Sequence, residues 1–284
     1  LQLQLTKKKE ETAALAQELD EENKHRQETE RCIVEAAVEQ CEKASIASQK
    51  VLLVAGANWH SGVIGIVASR LVERYYRPSI VLSLSEDGWA KGSCRSIPGF
   101  DMHQALQACG HLLERFGGHK QAAGLTMRAE NITALQEAMN QQAERMLQPE
   151  DYVPKVSIDA VVSLDMVNEA LLEKLELLEP YGIGNPRPRL LLQNLHLQGE
   201  ARRLGKEKEH LKLTVRQNEI TCPVLAWRQG EKASYLPQDT LLDVVATPEG
   251  NIWRDELQVQ LVAEDFAPSP QRENKSRILD YLAP

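Results

Sequence analysis

Apolar and polar positions follow two different periods along this chain. Residues 10–45 contain neither Gly nor Pro and are rich in Glu, Ala, Gln and Lys, all good helix formers. Leu15 and Leu19, then Ile33, Ala37 and Cys41, recur at helical spacing, so one long helix is expected, weakest near 20–23. It is either a connector or a packing helix, and its strongly polar faces favour a connector. Residues 51–57 form an apolar run that predicts a buried strand. A polar turn at 58–62 leads into Val63, Ile64, Val67, Ala68 and Leu71, an amphipathic helix stopped at Arg77-Pro78. Strands are expected at 80–84 and, after the turn Glu86-Asp87-Gly88, at 90–96. Asp101 suits the N-cap of a helix running through Phe116 and ended by Gly117-Gly118. A strand at 122–127 and a helix at 132–147 complete an α/β alternation.

Pro149, Glu150-Asp151 and Pro154 look like a linker, and the pattern changes after them. A strand-like stretch at 156–162 and a short helix at 166–178 precede β-rich runs at 190–197, 210–215, 220–226, 241–246 and 257–262. That spacing suggests a small barrel or sandwich. The last residues are expected to be loose before a helical turn at 277–282. The fold class is α+β / α/β, divided at 1–45, 46–148, 149–266 and 267–284.

The chain has 284 residues, with 42% hydrophobic and 26% charged, an ordinary globular composition. Its net charge of −8 speaks against wholesale electrostatic binding of nucleic acid. The charge is uneven, however: residues 51–128 carry +3, residues 182–216 carry +5 and residues 129–180 carry −8. Two cationic stretches in an acidic chain give a polyanion local footholds. The five cysteines are scattered without a C-x-x-C, which points to a reducing, cytoplasmic setting rather than a disulfide framework or zinc finger. No apolar run approaches the ~20 residues needed to span a bilayer, so no membrane association is expected. The chain begins with Leu inside helical sequence, so a preceding segment is expected.

Four segments could carry chemistry. Phe116-Gly117-Gly118-His119-Lys120 combines glycines, whose amides can approach a ligand closely, with a His and a Lys suited to a phosphate or other anion. The plain alternative is a helix stop beside a loop histidine. In Gly92-Ser93-Cys94-Arg95-Ser96, an extended backbone places Ser93 and Arg95 on one face, a hydroxyl and a guanidinium able to grip phosphate. Cys94 then points to the opposite face as a small buried residue. Asn58-Trp59-His60-Ser61-Gly62 precedes a helix whose first amides could hold an anion, or simply be capped by Ser61 or Asn58. The +5 stretch carries Arg187, Arg189, Arg202, Arg203, Lys206, Lys208, Lys212 and Arg216, with Tyr181 nearby and Trp227 and Trp253 further on. A basic barrel with stacking aromatics holds single strands without reading sequence; a solvated face is the alternative. No Asp-x-Asp, His-x-His or Asp-His-His occurs, so the clustered ligands of two-metal phosphoryl hydrolysis are not visible.

Taken in order, the segments 59–71, 92–101 and 116–124 resemble the DHH-associated domain of the RecJ family of single-stranded-DNA-specific exonucleases. Glu179-Pro180-Tyr181-Gly182-Ile183-Gly184-Asn185-Pro186-Arg187-Pro188 resembles the entry to that family's OB-fold domain, and residues 19–30 resemble its connector helix. A small Gly or Ala often stands in the family where this chain has Cys94. The resemblance implies a bacterial 5′-to-3′ exonuclease of recombination and repair, dependent on Mn or Mg. The ligands of that metal lie in an upstream DHH domain, so no catalytic or metal residue is expected here. It implies DNA-end and phosphate contacts at Ser93, Arg95, Ser96, Gly117, Gly118, His119 and His60. Barrel contacts to single-stranded DNA are implied at Arg187, Arg189, Arg202, Arg203, Lys212 and Trp253. A helicase or single-strand-binding protein is the partner class it suggests. Two other readings stay open: a non-catalytic single-strand-binding adaptor, and an oligonucleotide phosphoesterase of the DHH superfamily, which has no need of a barrel grip.

Overall fold

The computed structural model describes residues 9–44, 46, 49–237, 239–253 and 256–270, with the side chains of 9–11, 235 and 253 left aside. The chain divides into two compact units between Pro154 and Lys155.

In the first unit, helix α1 (Lys9–Lys43) is followed by β1 (Leu52–Ala57), α2 (Ile64–Tyr75), β2 (Ser79–Leu84), β3 (Trp89–Arg95), α3 (Met102–Ala108), β4 (Arg115–Gly118), β5 (Ala122–Arg128) and α4 (Ile132–Met146). The strands form one sheet in the order β1-β2-β3-β5-β4, with β1 and β2 parallel and the other pairs antiparallel. Helix α1 is exposed along its first half. Ile33, Ala37 and Cys41, spaced i, i+4, i+8, are buried against α2 and β1, so its second half is a packing helix. Glu30 ties the pair together, accepting from Arg70 Nε at 3.1 Å and from Arg26 at 3.2 Å.

Side chains on a strand alternate between faces, so the register sorts the sheet into two surfaces. On one, Val51, Ile80, Leu82, Ala90, Cys94, Ala123, Leu125 and Met127 pack beneath α3 and α4. On the other, Leu52, Val54 and Val81 pack beneath α1 and α2, through Ile64, Val67, Ala68 and Leu71. Among the described residues, that second cover lies over β1, β2 and the near side of β3. The same face of β3, β5 and β4 is left partly open.

The helix expected from Asp101 through Phe116 ends at Ala108. Asp101 does cap it, its carboxylate accepting from Gln104 N at 3.0 Å. Gly110 opens a short 3₁₀ turn, Leu113 is extended, and residues 115–118 pair with β5. Gly117 and Gly118 are therefore the end of an edge strand and not a helix stop. Leu106, Leu113 and Phe116 mimic a helical stripe, but the free ladder groups of β5 hold this segment extended.

In the second unit, the strands β6 (Ala160–Val162), β7 (Leu190–Leu197), β8 (Arg202–Leu204), β9 (His210–Gln217), β10 (Ile220–Ala226), β11 (Leu241–Trp253) and β12 (Glu256–Pro268) form a sheet ordered β6-β7-β11-β12-β10-β9-β8, with helix α5 (Glu169–Glu176) between β6 and β7 in the chain. Strand β7 also pairs with β9, which closes the sheet into a barrel, and β10 runs parallel to β12. The expected small barrel is thus an OB-fold type. Alternating Leu211, Leu213 and Val215 of β9 meet Leu190, Leu192, Leu242, Val244 and Leu261 inside it. The strand-like stretch 156–162 shortens to β6, and α5 is shorter than the helix expected at 166–178. The three exposed residues of β8 carry no periodicity to predict from. The helical turn expected at 277–282 lies outside the described residues.

Candidate nucleic-acid interface

The open part of the first unit's sheet collects most of the candidate residues. Antiparallel partners share a face, so the register defines its rows. Ser93, Gly124 and Gly117 form one row across β3, β5 and β4. Lys91, Thr126 and Arg115 form the next, and Arg95 lies beyond Ser93 opposite Ala122. Gly117 and Gly124 give the surface a floor without side chains. Together with Ser61, Ile64, Ser93, Lys91 and Arg115 they line an open depression of about 500 Å³.

Ser93 and Arg95 act as a pair. The Arg95 guanidinium donates to Ser93 Oγ at 3.2 Å and to the Cys94 carbonyl at 2.9 Å. Both side chains lie against Gly65 in the first turn of α2, where a Cβ would stand 3.1 Å from Arg95 Nη2 and 3.1 Å from Ser93 Oγ. The hydroxyl, the guanidinium and a helix start thus converge. Cys94 is fully buried on the opposite face, and its burial pushes the thiol up to about 12. It is not a nucleophile at neutral pH.

The Gly-Gly-His segment forms the tip of the β4–β5 hairpin. The backbone turns at Gly118, φ +145°, and His119 N donates to the Ala122 carbonyl at 2.8 Å. The tip is anchored by Ser96 N donating to Gln121 O and Met102 N donating to Lys120 O. Since Ala122 is the register partner of Arg95, this exposed tip adjoins the Ser93–Arg95 end of the sheet. His119 and Lys120 are both exposed.

Two expected residues do other work. Ser96 is 8% exposed and its hydroxyl donates to the Phe100 carbonyl at 2.7 Å, so it secures the loop behind the site. Neither Ser61 nor Asn58 caps α2, whose N-cap position is Val63 with no side-chain cap, and His60 instead shapes the turn before the helix. Its ring Nδ1 accepts from Gly62 N at 3.2 Å and its carbonyl accepts from Val63 N and Ile64 N. Its side chain lines a separate depression with His25, Cys32 and Trp59, on the α1 side.

Sequence reasoning passed over Gly65, Lys91 and Arg115. Among the described residues, Lys91, Arg95, Arg115 and Lys120 have no acidic side chain within ion-pair distance, so their charge is not neutralised locally. This is where the +3 of residues 51–128 becomes a surface.

The barrel cations fall into two sets with different partners. Arg187 pairs with Glu249 at 3.1 Å and lies over Tyr181, and Arg189 pairs with Glu264 at 3.5 Å. Arg202 and Lys212 are register partners on β8 and β9, with Arg203 beside them. Next to that pair, Trp227 is 53% exposed and braced edge-on by His210 at 4.8 Å. The Trp253 side chain lies outside the described residues. Among the described residues no three of His, Cys, Asp and Glu come together to hold a metal, so the residues present do not fit a resident Mn²⁺ or Mg²⁺. No described helix is long and apolar enough to cross a membrane.

Two family models match the chain: the DHHA1 domain over residues 45–145 and the RecJ OB domain over residues 158–265. The single-stranded-DNA-specific exonuclease RecJ of Bacillus subtilis is 35% identical over 260 residues, covering 91% of this chain and 33% of that protein. RecJ of Thermus thermophilus is 33% identical over 271 residues, covering 94% of this chain and 36% of that protein. The crystal structure of the Thermus protein in complex with Mn²⁺ matches with a TM-score of 0.74 at 32% identity, over 94% of this chain and 38% of the other. Its Mg²⁺ complex matches with a TM-score of 0.73, over 95% and 40%. The chain spans about a third of the length of these curated relatives.

Proposed function

The chain is a DHHA1–OB region of the RecJ family, and on that premise we propose that it grips single-stranded DNA for a 5′-to-3′ exonuclease of recombination and repair. The observation that carries this reading is the Ser93–Arg95 pair set against Gly65, opening onto a glycine floor with unneutralised cations around it. A guanidinium and a hydroxyl in fixed register suit the oxygens of a terminal phosphate. Neutralising phosphate charge in this way steadies a phosphodiester for attack by a nucleophile supplied elsewhere. Ser93, Arg95 and the Gly117-Gly118-His119 tip would hold the 5′ end. Arg202, Lys212 and Trp227 on the barrel would hold the strand further along, the cations at phosphates and the indole under a base.

In this reading divalent-metal hydrolysis belongs to another domain of the full protein, and among the described residues no cluster forms such a site. The Thermus relative solved with Mn²⁺ and with Mg²⁺ supports the use of a divalent metal in the family. All five cysteines are free, in keeping with a cytoplasmic setting. A helicase or single-strand-binding protein is the class of partner that would present the strand.

The test is binding by this chain of oligothymidylates bearing a 5′-phosphate or a 5′-hydroxyl, measured by fluorescence anisotropy for wild type and Arg95→Ala. The reading predicts a preference for the phosphorylated end that Arg95→Ala removes. Equal affinity of wild type for both ends would refute it. Cleavage of single-stranded DNA by this chain alone in Mn²⁺ would overturn the division of roles. A gain in affinity from dinucleotide to ~20-mer favours the extended grip over an oligonucleotide phosphoesterase.

A further inference from the structure

The Ser93 row is one of several on the open sheet. Two residues back along β3 stands Lys91, level with Thr126 and Arg115. Two residues further back is Trp89, paired in register with Arg128, whose guanidinium lies 3.9 Å over the indole. All these positions share a face by strand alternation. Lys91 and Arg115 are exposed, Trp89 is half-buried, and neither Lys91 nor Arg115 has an acidic partner among the described residues. Successive rows are ~6.6 Å apart along the strands, about one nucleotide step of an extended single strand. Lys91 and Arg115 flank β5, with ~10 Å between their backbones. A sugar-phosphate chain fits between them above Thr126.

We infer that Lys91 and Arg115 form a second phosphate subsite, one row from Ser93–Arg95, and that the Trp89–Arg128 pair ends the track as a platform for a nucleobase. The inference rests on the reading of Ser93–Arg95 as the terminal-phosphate grip and extends it to the next nucleotides. The strand leaves the grip along β3, away from the hairpin tip. The cations contact internal phosphates, which carry no sequence information, so binding here is sequence-tolerant. The indole, stiffened by Arg128 on one side, offers its remaining surface to a base.

The track makes a length-dependent prediction that the terminal grip does not. The probes are 5′-phosphorylated and 5′-hydroxyl thymidylates of one and four nucleotides, titrated against wild type, Lys91→Gln/Arg115→Gln and Trp89→Leu at several KCl concentrations. Wild type should bind the tetranucleotide at least ~10-fold more tightly than the mononucleotide, as each stacked base and paired phosphate adds to affinity. The double variant should lose most of that gain and flatten the salt dependence by ~0.7 per lost phosphate contact. It should keep the preference for a 5′-phosphate. Trp89→Leu should weaken the tetranucleotide about 5-fold or more and leave the mononucleotide unchanged. Circular-dichroism melts of the variants establish that each is folded. A double variant that binds both lengths like wild type overturns the subsite, even if Arg95→Ala abolishes end preference. Loss of end preference in the double variant, with length dependence intact, also overturns it, because the cations would then belong to the terminal grip.

Discussion

Replacing Gly65 with alanine separates the stability of the fold from the geometry of the phosphate grip. The new Cβ would lie 3.1 Å from both Arg95 Nη2 and Ser93 Oγ. Comfortable contacts are ~3.5–4.0 Å, so the two groups must retreat by several tenths of an ångström. They can do so, because both are side-chain ends and not backbone. The helix gains from the exchange, since Ala is favoured over Gly by ~0.5–1 kcal/mol in a helix interior and by less near its start. The site loses, since hydrogen bonds to a charged group contribute ~1.5–3 kcal/mol and shifting the guanidinium and hydroxyl spoils part of that. A loss of ~1–2 kcal/mol corresponds to ~5–30-fold weaker binding of a 5′-phosphorylated oligonucleotide. Gly65→Ala should therefore melt at or slightly above the wild-type temperature while discriminating less between 5′-phosphate and 5′-hydroxyl ends. Thermal melts and anisotropy titrations on the same preparation measure both quantities. A variant that is less stable yet keeps full end discrimination would refute the reasoning, as would equal weakening toward both ends.

The paired glycines of the hairpin tip should respond in opposite ways. A Cβ at Gly118 would meet the Ala122 carbonyl oxygen at 2.4 Å in a backbone with φ +145°, so Gly118→Ala should cost ~2 kcal/mol or more in a urea melt. Gly117 has nothing within 4 Å of its Cβ position, so Gly117→Ala should change stability by under ~1 kcal/mol while weakening DNA binding by roughening the floor. Trp227→Ala should weaken a ~20-mer by ~1–3 kcal/mol and leave a dinucleotide unaffected; equal loss on both would remove the indole from the strand's path. Burial raises the thiols of Cys94 to about 12 and of Cys41 and Cys222 to about 11, from an ordinary 9.0. Their native protonation favours the fold below pH 9, and that contribution is lost as pH rises through 11–12. Urea midpoints should fall between pH 9 and 10.5, and alkylation at pH 8 should label exposed Cys32 alone of the five; a flat profile, or rapid labelling of Cys94, would contradict the burial.

Periodicity reached the elements whose burial is one-sided, and missed those defined by partners far along the chain. The α2 stripe Ile64, Val67, Ala68 and Leu71 is buried as its spacing demands. The alternation that joins Ser93 to Arg95 also places Lys91 and Trp89 on the same face, so half of the open track was legible from β3 alone. Arg115 was not, because its place depends on residues 115–118 being a strand, and only pairing with β5 makes them one. Residue type was an equally partial guide. Ser96 resembles Ser93 in sequence but points into the loop, where the Phe100 carbonyl takes its hydroxyl.

Charge shows the same dependence on distant partners. Arg187 and Arg189 belong to the most basic stretch of the chain, yet Glu249 and Glu264, 62 and 75 positions away, return to neutralise them across the barrel. Lys91 and Arg115 belong to a less basic stretch, and no carboxylate comes back to meet them among the described residues. A polyanion responds to the charges left uncompensated at a surface, within a Debye length of ~8–10 Å, and not to a sum over sequence. The net charge of −8 is therefore compatible with a DNA grip, provided that acidic residues such as those of 129–180 stand away from the glycine floor. The register of three short strands contributes to this by setting Lys91, Thr126 and Arg115 in one row with no acid in it.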